Sequence, residues 1–141
     1  MRTILADTSY WVALIDSNDQ WHDKATAVSK ALSNNSILTT DEVLTEVLAF
    51  FSAYSSTTRQ RVLQFVLDLI NHPAHVDVVE QSRASFLAGL SLYERRPDKS
   101  YSLVDCTSMQ LMRDEGITES LTTDRHFSQE GFTILLREQT S

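Results

Sequence analysis

Four carboxylates in this sequence fall where a fold could gather them. Asp7 closes the short apolar run Thr3-Ile4-Leu5-Ala6, and Thr8 and Ser9 follow it. Glu46 lies about one and a half turns into the helix expected after a second apolar run, Ser36-Ile37-Leu38-Thr39. Asp105 sits in the first turn of a helix that Ser102 would open, and Asp124 follows a further expected strand over 118–122. If the runs are strands of one parallel sheet, their C-terminal ends share an edge, and that edge is where open α/β sheets bind ligands. Carboxylates brought within ~5 Å repel by ~3 kcal/mol per ionised pair at an effective dielectric near 20. Such a group persists only if it is protonated or holds a cation. Oxygen ligands without His or Cys select hard ions, Mg²⁺ or Mn²⁺. A divalent ion held beside a phosphate is the chemistry of phosphodiester hydrolysis.

Each acid also has a plainer use. Asp7 could cap the helix after it, Asp105 could be the return partner of Ser102 in a capping box, Asp124 could cap the turn at Arg125, and Glu46 could be a solvated helix residue. One shared site accounts for all four together better than four separate explanations do.

The elements that would position these groups follow from periodicity. Strands are expected at 3–6, 36–39, 76–79, 118–122 and 132–136. Helices are expected from Ser9, over 21–32, over 40–54 with a Thr39–Glu42 capping box, from Thr57-Thr58 to Asn71, over 81–93, from Ser102 to Gly116, and as a short turn over 125–130. Strands alternating with helices predict βαβ units with right-handed crossovers, hence an α/β fold with a parallel sheet. The 141 residues suit a single domain, 1–141, and three Gly and two Pro leave little material for flexible linkers.

Composition narrows the function classes. Hydrophobic residues make up 42% and charged residues 22%, as in ordinary globular proteins. Cys106 is the only cysteine, which excludes an internal disulfide and a zinc–cysteine cluster. A reducing, cytoplasmic setting is expected, without a leader segment or a membrane span. The net charge of −7 argues against a broad nucleic-acid-binding surface, although carboxylates grouped around a cation would lose part of that charge locally.

The motifs Ala6-Asp7-Thr8-Ser9, Thr45-Glu46-Val47-Leu48, Ser102-Leu103-Val104-Asp105-Cys106 and Leu121-Thr122-Thr123-Asp124-Arg125-His126-Phe127 span nearly the whole chain. In order and spacing they resemble the PIN-domain ribonucleases of the VapC toxin type. The resemblance implies a three-layer sandwich, with a five-stranded parallel sheet flanked by helices, and metal-dependent endonuclease activity on RNA. It carries the catalytic and metal-binding positions onto Asp7, Glu46, Asp105 and Asp124, with Ser9 and Thr123 as polar support and Mg²⁺ or Mn²⁺ as cofactor. It also implies a homodimer and a cognate antitoxin that covers the site. Candidate substrate contacts are Arg125 beside Asp124, and Arg95, Arg96 and Lys99 in the loop before Asp105.

Other residues are assigned structural roles. His22 and His126 could act as acid–base groups, but His126 and Phe127 are rather expected to pack beneath the turn after Asp124. Cys106 is expected to act as a small buried apolar group. Trp11 and Trp21 could stack on bases, but at helical spacing are expected to serve as core or interface anchors. Phe50, Phe51 and Tyr54 supply more aromatic surface than a small core needs, and part of it is assigned to a dimer contact. Two other functions compete with the nuclease. One is a PIN-like binding module with weak catalysis, which the acidic balance favours. The other is a phosphatase of the haloacid-dehalogenase type, which needs an Asp where Ser9 stands and a Lys near Asp124.

Overall fold

The computed structural model describes residues 2–137. Five strands, β1 (Thr3–Ala6), β2 (Ser36–Thr40), β3 (Val76–Val79), β4 (Glu119–Leu121) and β5 (Thr133–Ile134), form one sheet in the order β3-β2-β1-β4-β5. Every pairing is parallel. Seven α-helices connect them among the described residues: α1 (Thr8–Ile15), α2 (His22–Ala31), α3 (Asp41–Phe50), α4 (Ser56–Asn71), α5 (Arg83–Arg95), α6 (Leu103–Glu115) and α7 (Arg125–Gln129). This is the α/β architecture expected from the alternation of strand and helix patterns.

The central strand β1 shows how the layers are built. Its side chains alternate between faces, and all of Ile4, Leu5 and Ala6 are fully buried. Ile4 and Ala6 join the cluster that holds Trp11 and Val12 of α1, Ala25 of α2, Val43 and Val47 of α3, and Val62 of α4. Leu5 joins the opposite cluster with Leu92 of α5, Met109 and Met112 of α6, and Phe127 of α7. A strand buried on both faces needs a continuous apolar run, which is what Ile4-Leu5-Ala6 supplies. The outcome is three layers, with α1–α4 on one face of the sheet and α5–α7 on the other.

Helix boundaries follow side-chain hydrogen bonding. Ser102 Oγ accepts from the Asp105 amide while Asp105 Oδ2 accepts from the Ser102 amide, both at 3.0 Å, so α6 opens with the expected capping box. It closes on Gly116, whose φ of 69° is the left-handed geometry glycine adopts without penalty. The capping box expected at Thr39–Glu42 does not form. The cap of α3 is Thr40, whose Oγ1 accepts from Val43 N at 3.0 Å. Thr39 instead faces the core, where its hydroxyl accepts from Trp11 Nε1 at 3.1 Å and donates to the Ala6 carbonyl at 2.9 Å. The single helix expected over 40–54 ends at Phe50 and passes into a 3₁₀ turn, Phe51–Ala53.

Helices α5 and α6 pack closely because Gly89 has no side chain. A Cβ there would lie 2.5 Å from Thr107 Cγ2. The missing side chain lets α6, which carries Asp105, lie close against α5.

Candidate active site at the C-terminal sheet edge

Asp7 directly follows β1 and Asp124 lies three residues beyond β4, so the parallel pairing of these strands sends both acids to one end of the sheet. The first turn of α6 brings Asp105 to the same place, and Glu46 arrives from α3. All four carboxylates line one cleft of about 540 Å³, together with Thr8, Ser9 and Thr123. The sheet edge therefore places the four acids named from the sequence around a single opening.

Asp7 is the deepest of them, at 4% exposure. It occupies the N-cap position of α1 but makes no side-chain capping bond. Its Oδ2 accepts from Thr122 Oγ1 at 2.9 Å, while Oδ1 is buried with no hydrogen-bond partner. Burial, with Asp105 and Glu46 adding repulsion, raises its pKa from 3.8 to about 7; the nearby Thr8 amide and the Thr122 hydroxyl offset only part of that.

Asp105 is also buried, and burial raises its pKa. The charge of Asp124 pushes in the same direction, while the Ser102 amide and His126 oppose it. Asp124 Oδ1 caps α7 by accepting from the His126 amide at 2.9 Å. His126 Nδ1 lies 3.2 Å from Asp105 Oδ2 and 3.3 Å from Asp124 Oδ1, so the imidazole bridges the two acids. Ligand atoms of Asp105, Asp124 and His126 all fall within 4.8 Å of one another. Glu46 is fixed by Thr8, whose hydroxyl donates to Oε1 at 2.5 Å.

A hydroxyl chain ties the floor of the cleft together. The Thr122 proton goes to Asp7, so Thr122 Oγ1 is left to accept, and it does so from the Asp124 amide at 3.0 Å. Ser9 Oγ lies 3.2 Å from the same oxygen, which makes Ser9 the donor, and Ser9 accepts in turn from the Thr123 amide at 3.0 Å. Ser9 and Thr123 thus both stand within the acid site. Thr122, Thr8 and the bridging position of His126 escaped the sequence reading. The Thr122 signal was a hydroxyl two residues before Asp124, which acquires meaning only once β1 and β4 are paired.

The predicted basic contacts divide. Arg125 is exposed at the start of α7, next to Asp124. Arg96 makes a two-pronged pair with Glu130, Nε to Oε1 and Nη2 to Oε2, each at 2.9 Å. Arg113 and Tyr101 bind the same carboxylate. Burial alone would raise the Glu130 pKa, but Arg96, Arg113 and Tyr101 bring it down to about 2. Arg95 donates to Gln110 at 3.3 Å, and Lys99 is exposed. Cys106 is fully buried, Trp11 is in the core, and Trp21 is partly exposed on the cleft wall.

The donor set can be tested against a divalent ion. A buried carboxylate oxygen without a partner normally costs free energy. Asp7 Oδ1 is such an oxygen, beside three more carboxylates and with no Lys or Arg among the lining residues. The all-oxygen donors suit Mg²⁺ or Mn²⁺, and His126 nitrogen adds a ligand that Mn²⁺ tolerates better. The residues present fit such an ion.

A parallel α/β sheet with a carboxylate cleft beyond its strand ends defines the class of this protein. The family model for the PIN domain matches residues 4–132, and the chain belongs to that family. Among solved structures, it is similar to Mycobacterium tuberculosis VapC20, described as a sarcin-ricin loop cleaving toxin, with a TM-score of 0.80, 26% identity, and coverage of 92% of this chain and 96% of that one. It is also similar to a chain of Rickettsia felis VapBC2 bound to a promoter DNA fragment, at TM-score 0.69, 15% identity and coverage of 94% and 96%. A chain of FitAcB from Neisseria gonorrhoeae matches at TM-score 0.63, 11% identity and coverage of 94% and 96%. The last two likenesses show the fold alone. No curated protein sequence matches the chain.

Proposed function

We propose that this chain is a metal-dependent endoribonuclease, the toxin of a toxin–antitoxin pair, which hydrolyses RNA phosphodiester bonds. The observation that carries this reading is the cleft itself, where four carboxylates meet and the innermost, Asp7, keeps one buried oxygen unpartnered. Family membership and the likeness to VapC20 support it.

Asp7 and Asp105 would hold the principal Mg²⁺ or Mn²⁺, with Asp124 and Glu46 completing the site. Bound there, a divalent ion would neutralise phosphate charge and lower the pKa of a water. The chain's own residues prepare the site. Thr122 and Ser9 fix the Asp7 carboxylate and the turn carrying Asp124, so little order is lost when a ligand arrives. Thr8 holds Glu46 toward α1. At neutral pH without a cation, Asp7 is part-protonated, which relieves the repulsion inside the cluster.

The partners would be an RNA substrate, a cognate antitoxin covering the cleft and a second copy of the chain. Of the aromatic residues assigned to a contact between copies, Phe50 and Tyr54 are exposed, and Leu63 and Ile70 of α4 on the same side of the sheet are half-exposed, which supports an apolar contact there. Phe51 is buried in the core and takes no part. No helix among the described residues is long and apolar enough to cross a membrane. A second reading, a PIN-like binding module with weak catalysis, draws on the same lining, because a cleft without Lys or Arg grips a polyanion poorly.

The test is cleavage of a mixed RNA pool with Mg²⁺, with Mn²⁺ and with EDTA. Metal-dependent cleavage by the wild type, lost in a folded Asp7→Asn variant, is the expected result. Equal cleavage by both proteins would refute the assignment, and no cleavage under any condition would favour the binding module.

A further inference from the structure

The cleft's lining contains five carboxylates, Asp7, Asp19, Glu46, Asp105 and Asp124, and no cation. It does contain two aromatic side chains, Trp21 and Phe50. Phe50 is 49% exposed. Trp21 is partly exposed, and its backbone is fixed by the Asp19 carboxylate, which accepts from the Trp21 amide at 2.8 Å. One cation is tied to this wall from outside. The Arg137 guanidinium carbon sits 5.3 Å from the centre of the Trp21 ring, and Nη1 donates to the Thr123 carbonyl at 3.1 Å. Trp21 and Thr123 both line the cleft, so Arg137 is held at its rim, one residue's breadth from Asp124.

We infer that Trp21 and Arg137 form a nucleotide-gripping subsite beside the carboxylates, which binds an unpaired RNA nucleotide next to the bond to be cut. The inference rests on the nuclease reading and deepens it by naming what holds the substrate. Two physical needs meet at this point. An acidic protein with an acidic cleft repels an RNA backbone, so substrate needs a positive group placed where backbone passes. Base stacking adds affinity that does not depend on the protein's charge, and a guanidinium held 5.3 Å from the indole centre puts a positive group beside the exposed part of that ring. The Thr123 hydrogen bond and the indole fix the guanidinium before substrate arrives, which leaves its other donors for a phosphate oxygen. A base can reach such a surface only when it is unpaired.

The test measures binding apart from cleavage. A fluorescently labelled single-stranded RNA hexamer is titrated into Asp7→Asn protein, and anisotropy and indole quenching are followed at several salt concentrations. Trp21→Leu keeps apolar bulk and removes stacking, so binding should weaken about tenfold, while Trp21→Phe should weaken it less. Arg137→Ala should weaken binding about tenfold and lower the salt slope by about one, whereas Arg137→Lys keeps the slope and loses the planar surface. An abasic hexamer should bind weakly and be insensitive to Trp21→Leu. Circular dichroism shows that each variant is folded.

If Trp21→Leu and Arg137→Ala bind the hexamer as their parent does, with unchanged slope, the subsite is overturned, and so it is if the parent does not bind at all. Cleavage of RNA by the wild type is scored separately. Binding that depends on Trp21 and Arg137 without any cleavage would sustain the subsite and remove the nuclease reading. Cleavage with no such dependence would do the reverse.

Discussion

Asp7→Asn should make the metal-free protein more stable. In the folded chain burial, with Asp105 and Glu46 adding to it, raises the Asp7 pKa from 3.8 to about 7. Between those values the folded state holds a proton that the unfolded state has released, so stability falls as pH rises through this window. Below pH 3.8 both states are protonated and Asp7 costs nothing; above about 7 the full cost is present. A shift of roughly three units at 1.36 kcal/mol each corresponds to about 4 kcal/mol. An asparagine keeps an acceptor for Thr122 and carries no charge, so it avoids most of this cost. Taking about 2–4 kcal/mol as realised, and about 4 °C per kcal/mol for a domain of this size, the variant should melt about 8–16 °C above wild type at pH 8 in EDTA.

Metal should reverse that order. An ion that binds only the folded wild type adds about 2.7 kcal/mol at a hundredfold excess over its dissociation constant, and more at higher excess. The variant, with one ligand oxygen replaced by an amide, should gain little. The assay is calorimetry or thermal fluorescence on both proteins at pH 4, 6 and 8, with EDTA and with saturating Mn²⁺. The difference in EDTA should be small at pH 4 and grow toward pH 8. An Asp7→Asn protein less stable than wild type at pH 8 in EDTA would refute the reasoning, and so would Mn²⁺ stabilising both equally.

Three further outcomes follow from contacts in and behind the site. Thr122→Val removes the donor to Asp7 Oδ2 and the acceptor for the Asp124 amide; it should cost about 2 kcal/mol in urea denaturation and raise the Asp7 pKa further, measurable by carboxyl NMR. Gly89→Ala puts a Cβ against Thr107 Cγ2 and should destabilise by about 1–3 kcal/mol, part of it recovered by adding Thr107→Ser, which lacks that methyl. Arg96→Ala takes one partner from buried Glu130 and should cost about 2 kcal/mol at pH 7. Because the Glu130 pKa is lowered from 4.5 to about 2, its stabilising contribution is present above 4.5 and lost as pH falls through 2, so the Arg96 effect should shrink in acid, as denaturation at pH 3 would show.

The central strand was legible because burial on both faces writes itself as an apolar run, and the edge strand β3 because its valines stand in a short run even though they are only partly buried. Val76–Val79 and Thr3–Ala6 stand where the sequence puts them. At the sheet edge the same rule over-extends, since Phe132 and Leu136 are buried but outside the two-residue β5. Apolar patterning reports burial, and pairing is a separate condition. At Thr39 and Thr40 the sequence offers two adjacent hydroxyls, and only the position of Trp11 decides which one caps α3. Asp7 and Asp124 were legible because strand ends in a parallel sheet share an edge, and Asp105 and Glu46 because the helices that carry them start near that same edge. Thr122 was not, because its partnership with Asp7 depends on the register Ala6↔Leu121 between strands more than a hundred residues apart in the chain.

For Asp105 and Asp124, capping a helix and lining the cleft do not compete. Asp105 closes a capping box and lines the cleft; Asp124 caps α7 and lines the cleft. A carboxylate has two oxygens and room for about four hydrogen bonds. One oxygen spent on a helix amide leaves the other for a ligand and fixes its direction. The cap thus supplies the preorganisation that a binding carboxylate needs, and Asp124 does so at an N-cap position that favours Asp or Ser in any case. Asp7 departs from this pattern, since it stands at a cap position without capping. Its free oxygen gains nothing for the fold and costs stability by its burial. Among the four acids it is therefore the one that the hydrogen bonding of the fold leaves least accounted for, and the one on which the proposed metal site most depends.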